Sequence, residues 1–297
     1  MLSRRLLLSA PALLPAAAIA QGSRPAELVF AVVPAENAAG VTERYNPFVE
    51  YMSRALGTRV TLRVASDYAA VIEGQRSGSI HFAFYGPSAF ARALMTGAQV
   101  EAFLIEVNED GSKGYYSVFY VRRDTPFQSV QDLRGKNLGL VDPNSTSGNN
   151  VPRFALSRMG INPEQFFGRV VYAGSHENAV IALQQGTVDV AANWWNNERE
   201  SNLMRMERKG MVRAADFRIV FRSEQIVNSP MAWLAALPAE TKAAIRGAML
   251  ALPQHDPALF QRMTDGKQRP WEPVDNAAYQ PIVELNRFVD NLRRQRS

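Results

Sequence analysis

The chain has 297 residues, a formal net charge of +5 and no cysteine, and 46% of its residues are hydrophobic. That length and apolar content are enough for two modest hydrophobic cores. The absence of cysteine excludes disulfide bonds, thiol nucleophiles and cysteine-ligated metals, and the small, dispersed positive charge is not that of a nucleic-acid-binding protein.

The first 20 residues have the pattern of a secretory signal peptide. Arg4 and Arg5 precede an apolar stretch, and small residues stand at Ala18 and Ala20. The apolar stretch is shorter than the roughly 20 residues of a membrane-spanning helix, and it contains prolines. We therefore expect export by the general or the twin-arginine pathway, with cleavage after Ala20. Loss of both arginines leaves a periplasmic protein of net charge +3.

Strand and helix patterns alternate in the first part of the mature chain. The predicted strands are 27–34, 58–65, 79–86 and 98–107, and the predicted helices are 42–57, 67–78 and 87–97. This alternation predicts a largely parallel sheet with helices on both faces. Because ligands of such sheets bind at the carboxyl ends of the strands, residues 66–68 and 85–88 are expected to face a ligand.

The alternation continues to the end of the chain. The further predicted strands are 114–122, 168–174, 187–195 and 217–223, and further helices are predicted at 175–186 and 277–295. Two extended segments, near 117–123 and 217–223, indicate two αβ lobes joined by two crossings. We expect the first lobe to comprise residues 21–120 and 221–297 and the second to comprise residues 121–220. Paired crossings form a hinge that allows closure around a ligand.

Residues 142–148, DPNSTSG, concentrate hydroxyl groups between a strand and a helix. The three hydroxyls belong to Ser145, Thr146 and Ser147. Helix N-termini bind anions through free amides and the positive end of the dipole, and hydroxyls add donors without adding charge. A helix cap would use only one hydroxyl, and a Walker loop is excluded because no lysine follows. The run therefore indicates either a hydroxyl-rich cap or a socket for an oxyanion.

A second strand-to-helix junction carries a histidine. Ser175 and His176 lie at the start of the next predicted helix, on the same rim as the hydroxyl run. We interpret His176 as a ligand residue because of this rim position, and His81 and His255 as structural or surface residues. The sequence contains neither a GxSxG nor an HExxH motif. We therefore predict no catalysis, no metal and no cofactor.

Seven segments carry a family resemblance. They are SDYAAVIEGQRSG (66–78), FAFYGPSA (82–89), DGSKGYYSV (110–118), DPNSTSG (142–148), AGSHENA (173–179), VDVAA (188–192) and FRSEQIVNSP (221–230). In these segments the chain resembles the periplasmic phosphonate-binding proteins of ABC importers, within the broader phosphate, phosphite and phosphonate solute-binding family. Membership implies an α/β, type II periplasmic-binding fold, in which two lobes joined by two hinge crossings hold the ligand in the cleft.

The resemblance also implies roles for individual residues. It assigns the phosphonate oxygens to the hydroxyl run, which consists of Ser145, Thr146 and Ser147. Tyr68 reaches across from the first lobe, and Tyr115 falls near the organic end of the ligand. Ser175 or His176 completes the shell, and this choice stays open because family members differ by one position here. Tyr85, at a strand end, is a further candidate.

One departure from the family pattern concerns the organic end of the ligand. Members that prefer aminoalkylphosphonates hold the ammonium with two carboxylates, and the matching positions here are Asn196 and Ser229. A buried ammonium beside neutral groups loses charge-assisted hydrogen bonds. We therefore expect a preference for ligands without an amine, unless Glu198 substitutes through a two-residue shift of the alignment.

The resemblance finally implies partners. We expect a small phosphorus oxyanion as the ligand, an ABC permease in the inner membrane as the protein partner, a monomeric state, and no nucleic acid. Two alternatives stay open. One is a periplasmic sensor that presents its loaded form to a membrane receptor, and the other is a binder of another oxyanion, such as phosphate or a sulfonate.

Overall fold

A computed structural model describes residues 25–267 and 269–294. The predicted signal peptide, residues 1–20, lies outside the described residues. In the described part of the chain the strands are β1 (Glu27–Val32), β2 (Arg59–Val64), β3 (Phe82–Phe84), β4 (Val100–Ile105), β5 (Gly114–Arg122), β6 (Asn137–Leu140), β7 (Arg169–Tyr172), β8 (Val190–Asn197), β9 (Glu200–Ser201), β10 (Phe217–Arg222), β11 (Ile226–Val227), β12 (Pro230–Leu234) and β13 (Glu272–Pro273). The helices are α1 (Ala38–Leu56), α2 (Tyr68–Arg76), α3 (Pro87–Met95), α4 (Val151–Arg158), α5 (Pro163–Phe166), α6 (His176–Gln184), α7 (Asn202–Arg208), α8 (Ala239–His255), α9 (Pro257–Met263) and α10 (Gln280–Arg294). The predicted elements are confirmed with shifts of a few residues at their ends.

Helix α1 illustrates how local sequence sets these ends. The side chain of Asn37 accepts a hydrogen bond from the Gly40 amide and so begins the helix four residues before the predicted start. Gly57 ends the helix in the left-handed conformation, at a φ of 59°, which glycine adopts without a Cβ clash. Its apolar face buries Phe48 and Met52 in the core of the first sheet.

The strands form two sheets, and both are mixed rather than largely parallel. The first has the order β13-β4-β12-β3-β1-β2, and the second has the order β10-β5-β8-β6-β7. β1 is parallel to β2 and β3, and β6 is parallel to β7 and β8. The expectation of a largely parallel sheet is wrong because β12 returns from the second sheet and enters the first antiparallel to β3 and β4, while β5 pairs antiparallel with β8.

We call the first sheet with its helices the first lobe, and the second sheet with its helices the second lobe. The chain passes between them through residues 106–113 and 223–229. The crossings lie outside the segments proposed from the sequence, because β5 and β10 pair with each other in the second sheet. The predicted lobe limits at residues 120 and 220 fall inside these two strands. The Asn228 amide donates to the Lys113 carbonyl oxygen at 2.9 Å, which ties the two crossings together.

Each lobe has its own apolar core. In the first lobe Phe30 packs against Phe48 and Phe82, with ring centroids 5.0 and 4.9 Å apart. In the second lobe the core includes Phe119 and Leu138, both fully buried. A further buried cluster contains residues of both lobes, among them Val71 of the first and Val141 of the second. Among the described helices, none has both the length and the apolar character needed to cross a bilayer.

Candidate ligand-binding site

A cavity of about 130 Å³ lies in the cleft between the two lobes. Its walls come from both lobes: Tyr68 and Tyr85 belong to the first, and Ser145 and His176 belong to the second. These residues follow the carboxyl ends of strands, as expected for an α/β crevice. The volume is that of roughly four water molecules in the liquid, which matches a small ligand of a few heavy atoms.

The hydroxyl run forms one end of this cavity. Ser145 caps the turn that follows β6, and its Oγ accepts a hydrogen bond from the Gly148 amide at 3.1 Å. Residues Thr146–Asn150 then form a π-helical turn that leads into α4. Such turns concentrate at functional sites. A Cβ on Gly148 would approach the side chain of Val141 to 2.3 Å, so only glycine fits this close turn.

Neighbouring groups hold each residue of the run in place. The Ser88 amide of the first lobe donates to Thr146 Oγ1 at 2.8 Å, and the Ser117 hydroxyl donates to the Ser147 carbonyl oxygen at 2.7 Å. All three side chains of the run are almost fully buried. Because Thr146 Oγ1 accepts from Ser88, its own hydrogen stays available as a donor. The run therefore presents preorganised donors, one of which is tied to the opposite lobe.

His176, the first residue of α6, adds an acceptor to the same end of the cavity. Its Nδ1 lies 2.9 Å from Asn193 Oδ1, and that oxygen also accepts from the Trp194 amide. The oxygen can only accept, so Nδ1 carries the proton and Nε2 presents its lone pair toward Ser145 Oγ, 3.5 Å away. Burial, reinforced by the positive charge of Arg205, lowers the pKa of His176 to about 3, so the imidazole is neutral at neutral pH.

Four tyrosines line the cavity, and the three predicted from the sequence, Tyr68, Tyr85 and Tyr115, do not play equal parts. Burial raises the pKa of Tyr115 to about 12 and raises the pKa of Tyr68 above its ordinary range, so both phenols stay protonated donors. Tyr68 lies beside Ser145 across the cleft. The hydroxyl of Tyr85 instead donates to the Val71 carbonyl oxygen at 3.4 Å, away from the hydroxyl run. Tyr85 therefore contributes the ring rather than a donor.

The remaining predicted residues divide between the cavity and its surroundings. Asn196 and Ser229 line the cavity, and Asn196 Nδ2 donates to Glu200 Oε2 at 2.7 Å. Ser175 is outside the lining, since its Oγ caps α6 by accepting from the Asn178 amide. Glu198 is exposed and does not line the cavity. The acid beside Asn196 is therefore Glu200, two residues further along the chain than Glu198.

The far end of the cavity is charged, which sequence reasoning missed. The charged residues that line it are Glu36, Arg44, Glu106, Glu200, Arg205, Asp265 and Lys267. They come from separate stretches of the chain between residues 36 and 267, so no single motif signals them. They pair mainly with one another: Arg44 contacts Glu36 and Asp265, each at 2.8 Å. In the described part of the chain no cluster of histidine and acidic residues is suited to holding a metal ion.

The pairing fixes the charges of this far end. Burial alone would raise the pKa of Glu36, but Arg205 and Arg44 hold it below its ordinary value. The pKa of Asp265 is likewise lowered, because the same two guanidinium groups outweigh its burial. Neighbouring carboxylates raise the pKa of Lys267 despite its burial. The cavity thus joins an uncharged, donor-rich end to a far wall of mutually neutralised charges.

Comparison with known proteins agrees with this architecture. The family profile described as "ABC transporter, phosphonate, periplasmic substrate-binding protein" matches residues 30–279. The phosphonates-binding periplasmic protein of Escherichia coli is 32% identical over 219 residues, which is 72% of this chain and 63% of that protein. The phosphate-import protein PhnD of Mycolicibacterium smegmatis is 29% identical over 216 residues, which is 70% of this chain and 66% of that protein. The matched region thus spans slightly less than two thirds of the length of these relatives.

The fold has a solved counterpart as well. A binding protein component of an ABC phosphonate transporter from Pseudomonas aeruginosa superposes with a TM-score of 0.79 and 27% identity. The superposition covers 90% of this chain and 87% of that protein. The predicted type II periplasmic-binding fold is confirmed. With a profile match across most of its length, the chain belongs to the family of periplasmic phosphonate substrate-binding proteins of ABC transporters.

Proposed function

We propose that this protein is the periplasmic solute-binding component of an ABC importer and that it binds a phosphonate or a closely related small phosphorus oxyanion. The ligand sits between the lobes, and the closed, loaded protein delivers it to a permease in the inner membrane. Family membership and the name of the Escherichia coli relative support this reading. The name of the Mycolicibacterium relative makes phosphate the first alternative ligand to test.

The hydroxyl run supports an oxyanion as the ligand. Ser145, Thr146 and Ser147 converge at a helix N-terminus, where free amides and the dipole favour negative charge. Tyr68 and Tyr115 add protonated phenols from the other side of the same end. Hydrogen bonds to a charged acceptor are worth about 1.5–3 kcal/mol each, so several of them hold a desolvated oxyanion without a buried cation.

The lone pair on His176 Nε2 is the observation that favours a phosphorus oxyanion over a sulfur oxyanion as the ligand. Nε2 of the neutral imidazole is an acceptor, and an acceptor repels a fully deprotonated oxyanion. A phosphonate or phosphate monoanion carries one P–OH group, which replaces the Ser145 hydroxyl as the donor to Nε2. Sulfate and sulfonates have no such proton near neutral pH. The site therefore selects an oxyanion that still carries a hydrogen.

The same features support binding without turnover. Ser145 and His176 approach each other, but the Nδ1 partner of the imidazole is the amide of Asn193 rather than a carboxylate. A serine nucleophile requires a base that gains positive charge, and the low pKa of His176 disfavours that charge. We propose that the monomeric protein acts in the periplasm and returns its ligand unchanged.

A thermal-unfolding screen of the mature chain tests this proposal. A ligand that binds only the folded state raises the melting temperature in proportion to the logarithm of its concentration. We expect shifts with methylphosphonate, phosphite or phosphate, and none with sulfate or methanesulfonate, which serve as matched controls. Phosphorus NMR of the bound ligand should show no product. Equal shifts with sulfate and methylphosphonate would refute the role of His176, and no shift with any phosphorus oxyanion would refute the function.

A further inference from the structure

The far wall of the cavity contains an ammonium group of its own. Lys267 Nζ lies 2.8 Å from Glu200 Oε1 and 3.3 Å from Glu106 Oε2. All three residues line the cavity, and the lysine side chain is 9% exposed. Glu106 is the first residue of the crossing that leaves the first lobe, Lys267 follows α9 of the first lobe, and Glu200 lies in β9 of the second. The lysine thus bridges two carboxylates across the cleft.

The chain takes an uncommon turn to put Lys267 there. After α9, Asp265 adopts a positive φ of 58°, the one non-glycine residue in the described chain to do so, and Gly266 follows at 97°. Left-handed backbone at a non-glycine residue carries strain and marks sites where geometry matters. The Thr264 hydroxyl steadies the turn at 3.1 Å from the Lys267 carbonyl oxygen. As a result Asp265 and Lys267 both face the cavity.

Both carboxylates are already engaged, Glu200 through both of its oxygens and Glu106 through Oε2. Glu200 uses one oxygen for Lys267 and the other for Asn196 Nδ2, at 2.7 Å. The remaining acids of the wall, Glu36 and Asp265, are paired with arginines. An ammonium group brought in by a ligand would lose its water and find only neutral or already paired groups. An alkyl group of the same size would lose no hydrogen bonds.

We infer that Lys267 is a specificity-determining residue whose ammonium occupies the carboxylate pair of Glu106 and Glu200, so that the cavity accepts alkylphosphonates and rejects aminoalkylphosphonates. This inference rests on the proposed function, because it concerns the organic end of the same ligand. It differs from the absence of acids at Asn196 and Ser229, because acids are present nearby and are already paired with Lys267.

Two ligands that differ only by exchange of a methyl group for an ammonium group test the inference. They are propylphosphonate and 2-aminoethylphosphonate, measured by calorimetry on the wild-type mature chain and its variants. We expect the wild type to bind propylphosphonate at least about tenfold more tightly. In Lys267→Met the freed carboxylates should hold the amine, so the affinity ratio should move toward 2-aminoethylphosphonate by about tenfold or more. Lys267→Arg, which keeps the charge, should retain the wild-type preference.

A second pair of variants keeps the test decisive if Lys267→Met does not fold. Glu200→Gln retains the lysine but removes one carboxylate. It should therefore shift the ratio of the two affinities further toward propylphosphonate and away from 2-aminoethylphosphonate. In the double variant Lys267→Met/Glu200→Gln, the shift toward 2-aminoethylphosphonate that Lys267→Met produces alone should be lost. An unchanged ratio in folded Lys267→Met, or in Glu200→Gln, overturns the inference while methylphosphonate binding keeps the proposed function intact. Failure of every phosphonate to bind overturns both.

Discussion

Replacement of Thr146 by alanine probes the hydroxyl run most sharply. The Thr146 hydroxyl accepts a hydrogen bond from the Ser88 amide at 2.8 Å, and both residues are buried. The same hydroxyl keeps its hydrogen for an oxygen of the ligand. The substitution therefore removes one donor from the proposed oxyanion site and leaves one buried amide of the opposite lobe without an acceptor.

The two losses have separable magnitudes. A lost donor to a charged oxygen weakens binding by about 1.5–3 kcal/mol, which raises the dissociation constant roughly 10- to 150-fold. An unsatisfied buried amide lowers the free energy of unfolding by about 1–3 kcal/mol, and each kcal/mol lowers the melting temperature of a protein of this size by about 2–4 °C. Neither loss removes apolar core, so we expect the variant to fold.

Calorimetry with methylphosphonate measures the first loss, and thermal unfolding without ligand measures the second. Thr146→Ser is the matched control, because it keeps the hydroxyl and removes only a methyl group. We expect Thr146→Ser to bind within a few-fold of the wild type, since no polar contact is lost. Wild-type affinity in folded Thr146→Ala would refute the assignment and leave the hydroxyl run as an ordinary helix cap.

Two further predictions concern pH and closure. The free energy of unfolding of the unliganded protein should fall as the pH drops below about 6.5, because unfolded His176 then gains a proton that the folded state resists until about pH 3. In His176→Asn the free energy of unfolding, measured with urea, should depend less on pH in this range. Identical pH slopes for the wild type and the variant would contradict this prediction. Lys209→Met, which removes an ion pair across the cleft to Glu36 and one within the second lobe to Glu177, should weaken methylphosphonate binding by at least about 1 kcal/mol, roughly fivefold. The control Lys242→Met removes an ion pair to Glu101 within the first lobe, and an equal effect on binding would exclude the cross-cleft role.

The donor end of the cavity was predictable because its signal is local. Ser145, Thr146 and Ser147 are adjacent in sequence, and a strand before them and a helix after them fix where they point. His176 occupies the same kind of junction and therefore lands on the same rim. Tyr85 shows the limit of this reasoning. Its position at a strand end was predicted, but the direction of its hydroxyl depends on packing against Val71.

The charged end was not predictable from one sequence. Glu36, Glu106 and Lys267 are separated by up to 231 residues, and they meet only because the chain leaves the first lobe and returns to it. The antiparallel entry of β12 was missed for the same reason, since alternation of strands and helices carries no information on a return crossing. The one local signal for the charged end is the turn-forming pair Asp265 and Gly266, which was not recognised as part of the site.

A crystal structure of the mature protein with methylphosphonate would test directly whether the hydroxyl run binds the ligand. We expect one ligand per chain in the cleft, with its oxygens within hydrogen-bonding distance of the hydroxyls of Ser145, Thr146 and Ser147 and one oxygen facing His176 Nε2. The methyl group should point toward the wall that contains Lys267. A cleft that stays empty at saturating ligand, or a phosphorus atom bound away from the hydroxyl run, would show that the hydroxyl run is not the binding site.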